Sequence, residues 1–253
     1  MPKPTKTIQL SKIDTRAHKS IDKDETKGKT LSIIQELDEL QNLMYAEGKH
    51  SLLIVIQGMD ASGKDGLIKD VFTAVNPQGI RVQSFKEPTK EELAHDFLWR
   101  IHKNTPEKGM IQVFNRSHYE DVLITRVHGM INDKIAEQRM DAINHFERLL
   151  ELNNTHIIKL YLHVSHEEQH KRLEERLEIP RKMWKYNKSD LIESKYWTKY
   201  RQYYEEIFEK CNAVPWHIIP ADQNWFKSYK VAEIVHSKLK SIKMKYPGLK
   251  KEI

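Results

Sequence analysis

Residues 58–66 read Gly58-Met59-Asp60-Ala61-Ser62-Gly63-Lys64-Asp65-Gly66. Two glycines five apart, followed at once by lysine, make the G-x-x-x-x-G-K spacing of a phosphate loop. The glycines let the backbone wrap so that successive N–H groups converge on phosphate oxygens. A helix starting there points its positive end at the same place, and Lys64 adds a full charge for the outer phosphates. Ala61, Ser62, Gly63, Lys64, Asp65 and Gly66 are therefore the expected phosphate-binding residues. Two carboxylates depart from the usual pattern. Asp65 stands where Ser or Thr ordinarily binds magnesium, and Asp60 lies inside the loop. A carboxylate beside phosphates is repulsive unless a cation lies between them. The expectation is Mg2+ held by Asp60, with Asp65 the second candidate and an Asx turn the alternative for Asp60.

A second group of chemical side chains follows in Phe114-Asn115-Arg116-Ser117-His118-Tyr119-Glu120-Asp121. Phosphoryl transfer needs an acidic residue near this point to steer magnesium. The position expected to be acidic is Asn115, and the carboxylates fall instead at Glu120 and Asp121, so these three join Asp60 as candidate metal residues. Arg116 at the end of a strand would face the loop and neutralise a transferring phosphoryl group. Arg126 could serve likewise, with a structural surface arginine as the alternative, and Lys86 is a further anion contact. Residues 169–188 hold Lys171, Arg172, Arg176, Arg181, Lys182, Lys185 and Lys188 against Glu174, Glu175 and Glu178. Arg172 and Arg176 share a helix face. A lid of this kind can close over phosphates and exclude water. Trp184 between Lys182 and Lys185 can lie against an adenine ring while the lysines reach phosphate. The alternative is a charged, solvated helix with one packed tryptophan.

These residues require elements to position them. Ser51–Gln57 reads as a strand buried on both faces, as in a parallel sheet. Strands are also predicted at 80–85, 110–114, 155–164 and 215–219, with helical spacing at Leu31, Ile34, Leu37, Leu40 and Met44 and in the stretches between strands. Thr89 with Glu92, Ser165 with Glu168 and Asp190 with Glu193 read as capping boxes. The alternation gives an α/β fold with a five-stranded parallel sheet flanked by helices. The expected organisation is a basic arm over residues 1–29, solvated or making a phosphate or subunit contact, then one phosphotransferase domain over 30–253 with a lid at about 167–190.

The chain has 253 residues and a formal charge of +6 from 42 basic and 36 acidic side chains, a modest excess that favours anionic partners without choosing among them. One cysteine, Cys211, excludes a disulfide framework and a multi-cysteine metal site. No apolar run approaches a membrane span, and the lysine-rich start lacks the apolar segment of a signal peptide. The expectation is a cytoplasmic protein bound to neither membrane nor nucleic acid. Among the 13 histidines, His118 lies within the second motif, while His50, His156 and His217 read as structural or surface groups.

Taken together, the loop at 58–66, Lys86-x-Pro88-Thr89, Phe97-Leu98-Trp99-Arg100, the run Phe114 to Asp121, Pro180-x-Lys182-x-Trp184-Lys185 and Pro215-Trp216 resemble the type 2 polyphosphate kinases, also called polyphosphate:nucleotide phosphotransferases. The resemblance runs from about Lys29 to Leu239. It implies a thymidylate-kinase-like P-loop core with a helical lid, and magnesium-dependent, reversible transfer of the terminal phosphoryl group of inorganic polyphosphate to a nucleotide. It implies a homodimer or homotetramer as well. The Asn115 variant resembles the subgroup that accepts both AMP and ADP, with guanine nucleotides as a further acceptor class. The alternative activity is an ATP-dependent nucleoside monophosphate kinase, which would more often carry Ser or Thr at position 65. A non-catalytic polyphosphate- or RNA-binding module is a third reading.

Overall fold

The computed structural model describes residues 8–249. Strand β1 (Ser51–Gln57) is buried along its whole length and forms the centre of a parallel sheet with β2 (Ile80–Ser84), β3 (Ile111–Asn115), β4 (Thr155–His163) and β5 (Trp216–Pro220). The strand order is β2-β3-β1-β4-β5, and all five strands fall within one residue of their predicted ends. From β1 the chain runs to β2, toward one edge, and from β3 to β4, toward the other. The order therefore switches between β1 and β3, and the crevice beyond the carboxyl ends of those strands is where such sheets bind ligands. The register pairs Ile56 with Asn115, so the loops leaving the two strands begin side by side.

Alternation along β1 sorts the core into two layers. Leu52, Ile54 and Ile56 face α1 (Lys23–Glu47), α2 (Lys64–Phe72) and α11 (Asn224–Ser241), meeting Leu37, Leu67 and Val231. Leu53 and Val55 face α5 (Glu120–Val127), α6 (Asp133–Leu152) and α10 (Trp197–Lys210), meeting Val122, Ile143 and Phe208. Short helices α3 (Lys90–Leu93) and α4 (Trp99–His102) connect β2 to β3, and α7 (His166–Glu178), α8 (Pro180–Met183) and α9 (Lys188–Glu193) fill the stretch expected as a lid.

Four local expectations are corrected. The expected boundary at residue 29 falls inside α1, which starts at Lys23 because the Asp22 side chain accepts from the Glu25 N–H. The segment before it is not free. Leu10 is 1% exposed, its N–H donates to Glu205 Oε1 at 2.7 Å, and Arg16 lies 3.3 Å from Asp222. The part of the expected arm over residues 1–7 lies outside the described residues. Thr89 and Glu92 form the reciprocal capping box, but Asp190 caps nothing. Asn187 caps α9, and Asp190 pairs with Arg176. Ser165 caps α7, while the Glu168 carboxylate turns to Arg172 instead of back to the cap. Among the described residues no helix is long and apolar enough to cross a membrane.

Behind the site lies a buried ionic cluster. Lys159 on β4 donates to Glu147 Oε2 (2.8 Å), the Tyr119 hydroxyl (2.9 Å) and the Cys211 carbonyl (2.9 Å), and Tyr119 donates to Glu147 Oε1 (2.6 Å). All three ammonium protons are used, which is the condition under which a buried charge is tolerated. Lys159→Met leaves Glu147 charged and buried and is expected to destabilise the fold by about 3–5 kcal/mol. Denaturant unfolding measures this, and a midpoint unchanged from the parent chain would show that the cluster carries no such weight.

Candidate active site

The phosphate loop sits at the switch point, and its shape follows from its glycines. A Cβ on Gly58 would lie 2.8 Å from Ser62 Oγ and 3.0 Å from the Leu162 carbonyl, and one on Gly63 would strike Lys227 Nζ. Gly63 has φ +89° and Ala61 φ +60°, both in the left-handed region, so the chain folds back on itself before α2. With glycine as N-cap no side chain caps the first turn of α2, leaving the N–H groups of Lys64, Asp65 and Gly66 available to an anion. Ser62 turns away. Its hydroxyl is buried beneath the loop with no partner and its N–H donates to Met59 O at 3.1 Å, so Ser62 shapes the loop and offers the cleft no free donor.

A cleft of about 730 Å³ opens over this loop, lined on the loop side by Asp60, Ala61, Gly63, Lys64, Asp65 and Gly66 and opposite them by Lys86, Asn115 and Arg116. Arg176, Lys182 and Lys185 of the lid stretch line it too. Lys64 Nζ folds onto the loop's own carbonyls, 2.8 Å from Gly58 O and 3.2 Å from Met59 O. Burial, and then Arg116, push its pKa down, against the opposing pull of Asp60, Glu120 and Asp65. Arg116 leaves β3 with φ +62°, fixed by its N–H to Ile56 O at 3.1 Å, and its guanidinium donates to Asp60 Oδ1 at 2.5 Å. Burial alone would raise the Asp60 carboxyl, but Arg116 and Lys64 outweigh it and hold the group below the ordinary carboxylate range. Asp65 accepts from Asn115 Nδ2 (2.8 Å) and from Lys185 Nζ (3.3 Å), which ties the loop to β3 and to the lid stretch.

Some expected residues are placed elsewhere. Arg126 does not reach the cleft. It pairs with Asp133 and Glu206 at 2.8 Å each and lies over the Tyr203 ring, because α5 turns that face toward α6 and α10. Asp121 pairs with Arg100 at 3.3 Å and is not at the loop. Glu120 faces a small inner pocket with Asp60, Arg116, Trp197, Tyr200 and Tyr204. Burial raises its pKa, and the Gln57 amide, oriented to satisfy both of its ends, donates to it at 2.9 Å. Trp184 is 77% exposed and does not line the cleft, its indole N–H donating to Arg181 O. Lys182 is paired with Glu175, and Arg176 with Asp190. His118 is buried against Glu147 and Tyr119, away from the cleft.

Two cleft residues go beyond what the sequence suggested. Arg172 was expected to close over phosphates beside Arg176. Instead it donates to Ala61 O and Ser62 O (3.1 Å each), Ala221 O (2.8 Å), Asp222 O (3.0 Å) and Glu168 Oε1 (2.9 Å). All five guanidinium donors are used, and they pull the loop's carbonyls toward α7, leaving its N–H groups for the cleft. Lys227 on α11 is buried under the loop, donating to Gly63 O (3.1 Å) and Asn224 Oδ1 (2.9 Å). Only its place after β5 could have pointed to it, since no motif surrounds it. Burial, reinforced by Arg172 and Lys64 and opposed by Asp70 and Glu168, pushes its pKa down to about 7.

The sequence matches the polyphosphate kinase 2 family over residues 20–247. The chain belongs to that family. An AMP/ADP-polyphosphate phosphotransferase of Meiothermus ruber is 45% identical over 215 residues, which cover 84% of this chain and 80% of that one. An ADP-polyphosphate phosphotransferase of Rhodopseudomonas palustris is 41% identical over 228 residues, covering 85% and 79%. The crystal structure of polyphosphate kinase 2 from Arthrobacter aurescens is 39% identical with a TM-score of 0.93, covering 97% of this chain and 90% of that one. For this polyphosphate kinase 2 chain the α/β P-loop architecture read from the sequence is therefore the family's own.

Lys227 supplies a test of the site's electrostatics. An anion on the loop favours its charged form, so binding of inorganic triphosphate above pH 7 is expected to take up a proton and to weaken as pH rises from 7 to 9. Calorimetry in two buffers of different ionisation heat counts the protons. Lys227→Met is expected to remove most of the uptake, and equal uptake in both proteins would refute this placement of the charge.

Proposed function

We propose that the protein transfers the terminal phosphoryl group of inorganic polyphosphate to AMP and ADP, reversibly, with guanine nucleotides as a second acceptor class. The observation that carries this reading is the chemistry of the cleft wall. Lys64, Lys86, Arg116, Arg172, Arg176, Lys182, Lys185 and Lys227 line it and outnumber the carboxylates of Asp60, Asp65, Glu168, Glu175 and Asp190, and Phe85 is its one aromatic side chain. Such a wall suits a donor that is all phosphate. The names of the Meiothermus and Rhodopseudomonas relatives support the same choice over an ATP-dependent monophosphate kinase.

The reaction needs charge and alignment more than proton transfer, because the attacking phosphate oxygen of the acceptor is already ionised. The loop N–H groups and Lys64 hold the end of the donor. Lys64 moves from the loop carbonyls onto phosphate oxygen, and Arg116 exchanges part of its contact with Asp60 for the transferring group. The stretch 166–193 acts as the lid, with Lys182 and Lys185 facing the chain of phosphates and excluding water that would otherwise hydrolyse the donor.

Magnesium belongs to this proposal. No group of three or more His, Cys, Asp or Glu able to cage an ion exists among the described residues. Mg2+ ordinarily binds through one or two carboxylates together with substrate phosphates, and Asp60 on the cleft wall fits that mode. Asn115 and Asp65 stand beside it as oxygen donors, and Glu120 behind Arg116 is the reserve carboxylate. When bound, the ion would neutralise phosphate charge and fix the orientation of the two substrates.

The expected outcome is ATP formed from ADP with polyphosphate as sole donor, lost on chelation of magnesium and reduced about 10³-fold in kcat by Lys64→Ala, measured by luminescence of the ATP produced. Polyphosphate affinity should fall steeply with salt, about 0.7 log units per log unit of salt for each phosphate contact. ATP formation that requires a nucleoside triphosphate donor would overturn the reading.

A further inference from the structure

Residues 10–17 pass the carboxyl ends of β4 and β5, and the phosphoryl chemistry does not use them. Leu10 enters the core, and His163 Nε2 at the end of β4 donates to Leu10 O at 3.0 Å and Ile13 O at 3.2 Å. Beyond them the segment meets the turn between β5 and α11. The Asp222 N–H donates to Thr15 O at 3.0 Å, and the Ala17 N–H donates to Gln223 Oε1 at 2.9 Å. The segment is thus stitched to the turn that Arg172 bridges to the phosphate loop.

These contacts meet at Asp222, whose side chain is 1% exposed. Oδ2 accepts from the Thr15 hydroxyl at 2.8 Å and lies 3.3 Å from Arg16 Nε. Oδ1 accepts from the N–H of Ser165, the cap of α7, at 2.8 Å. The Asp222 carbonyl accepts from Arg172 Nη2 at 3.0 Å, on the same guanidinium whose Nη1 holds Ala61 O and Ser62 O. Arg16 also pairs with Glu168, the carboxylate that accepts from Arg172 Nε. One buried side chain therefore fixes both the start of α7 and the backbone through which Arg172 is anchored. A guanidinium is planar, so its two Nη positions move as a unit. A shift of the backbone at 221–222 turns the other end of that plane against Ala61 and Ser62.

We propose that Asp222 is a positioning residue for the phosphoryl donor, aligning the phosphate loop through Arg172 and itself held by Thr15 and Arg16. The inference rests on the reading of the cleft as the donor site. Its sign is opposite to that of simple charge repulsion. Removing a carboxylate near an anion site should tighten anion binding by Coulomb's law. Removing an aligning carboxylate should weaken it, because the loop N–H groups no longer converge on one phosphate. Asp222 makes no phosphate contact in this scheme, so the salt dependence of binding keeps its slope.

Calorimetric titration of the full chain with inorganic triphosphate tests the sign without turnover, so the outcome stands apart from whether phosphoryl transfer to AMP or ADP occurs. Asp222→Asn keeps the side chain's size and one acceptor oxygen for Ser165 but sets an amide N–H against the Thr15 and Arg16 donors. It is expected to weaken triphosphate binding about tenfold, with the salt slope unchanged. Thr15→Val removes one hydroxyl and nothing from the cleft, and should weaken binding about threefold. The double variant Asp222→Asn/Arg172→Lys should bind no more weakly than Arg172→Lys alone, because lysine cannot span both pairs of carbonyls and the path is already broken. In turnover, Asp222→Asn should raise the KM for polyphosphate and leave the KM for ADP in place. Circular dichroism checks that each variant is folded, and Thr15→Val carries the test if Asp222→Asn is not. Tighter triphosphate binding in Asp222→Asn, unchanged affinity in the folded variants, or additive losses in the double variant would overturn the proposal.

Discussion

Like-charge crowding at the carboxyl end of the sheet is the constraint to which the rest of the site answers. Lys64, Arg116, Arg172 and Lys227 gather around one loop. Two unit charges 4 Å apart repel by about 4 kcal/mol at the effective dielectric of a partly exposed site. The free protein offsets each charge with its own oxygen. Gly58 O and Met59 O take Lys64, Asp60 takes Arg116, four carbonyls and Glu168 take Arg172, and Gly63 O and Asn224 take Lys227. A polyanion entering the cleft replaces part of this internal compensation with a better one. The site is thus assembled before the substrate arrives, and the loop's carbonyls are stand-ins for phosphate.

Holding that arrangement requires backbone conformations that most residues avoid. Ala61 and Arg116 both sit at positive φ, and neither is glycine. Such residues persist where surrounding structure over-determines them. Here the anchor is Arg116 N–H on Ile56 O, which joins the exits of the two strands flanking the switch point, together with the grip of Arg172 on the loop. The two packed layers and the buried Lys159–Glu147 pair keep those strand ends from shifting.

Most of the architecture was readable along the chain because parallel strands buried on both faces give continuous apolar runs, and Ser51–Gln57 is such a run. The phosphate loop was readable for a different reason, since only glycine fits at 58 and 63. What stayed hidden depended on direction. Arg126 lies ten residues after Arg116 and looked equivalent to it, yet the face of α5 on which it stands decides that it meets Asp133 and Glu206. Arg172 and Arg176 look alike in sequence, and only the placement of α7 beside the loop makes the first a clasp for the backbone. Lys227 carries no local signal, since its role comes from β5 delivering α11 to the underside of Gly63. The start of α1 was missed because its first turns are polar and lack the apolar period.

Asp65 and Asn115 lie fifty positions apart but share a hydrogen bond of 2.8 Å. An aspartate at 115 would set two carboxylates face to face, a pairing that survives only by sharing a proton or recruiting a cation. The amide removes that demand while keeping an oxygen in place. The two positions therefore act as one chemical pair, and grafting one of them alone into another loop would transplant half a partnership.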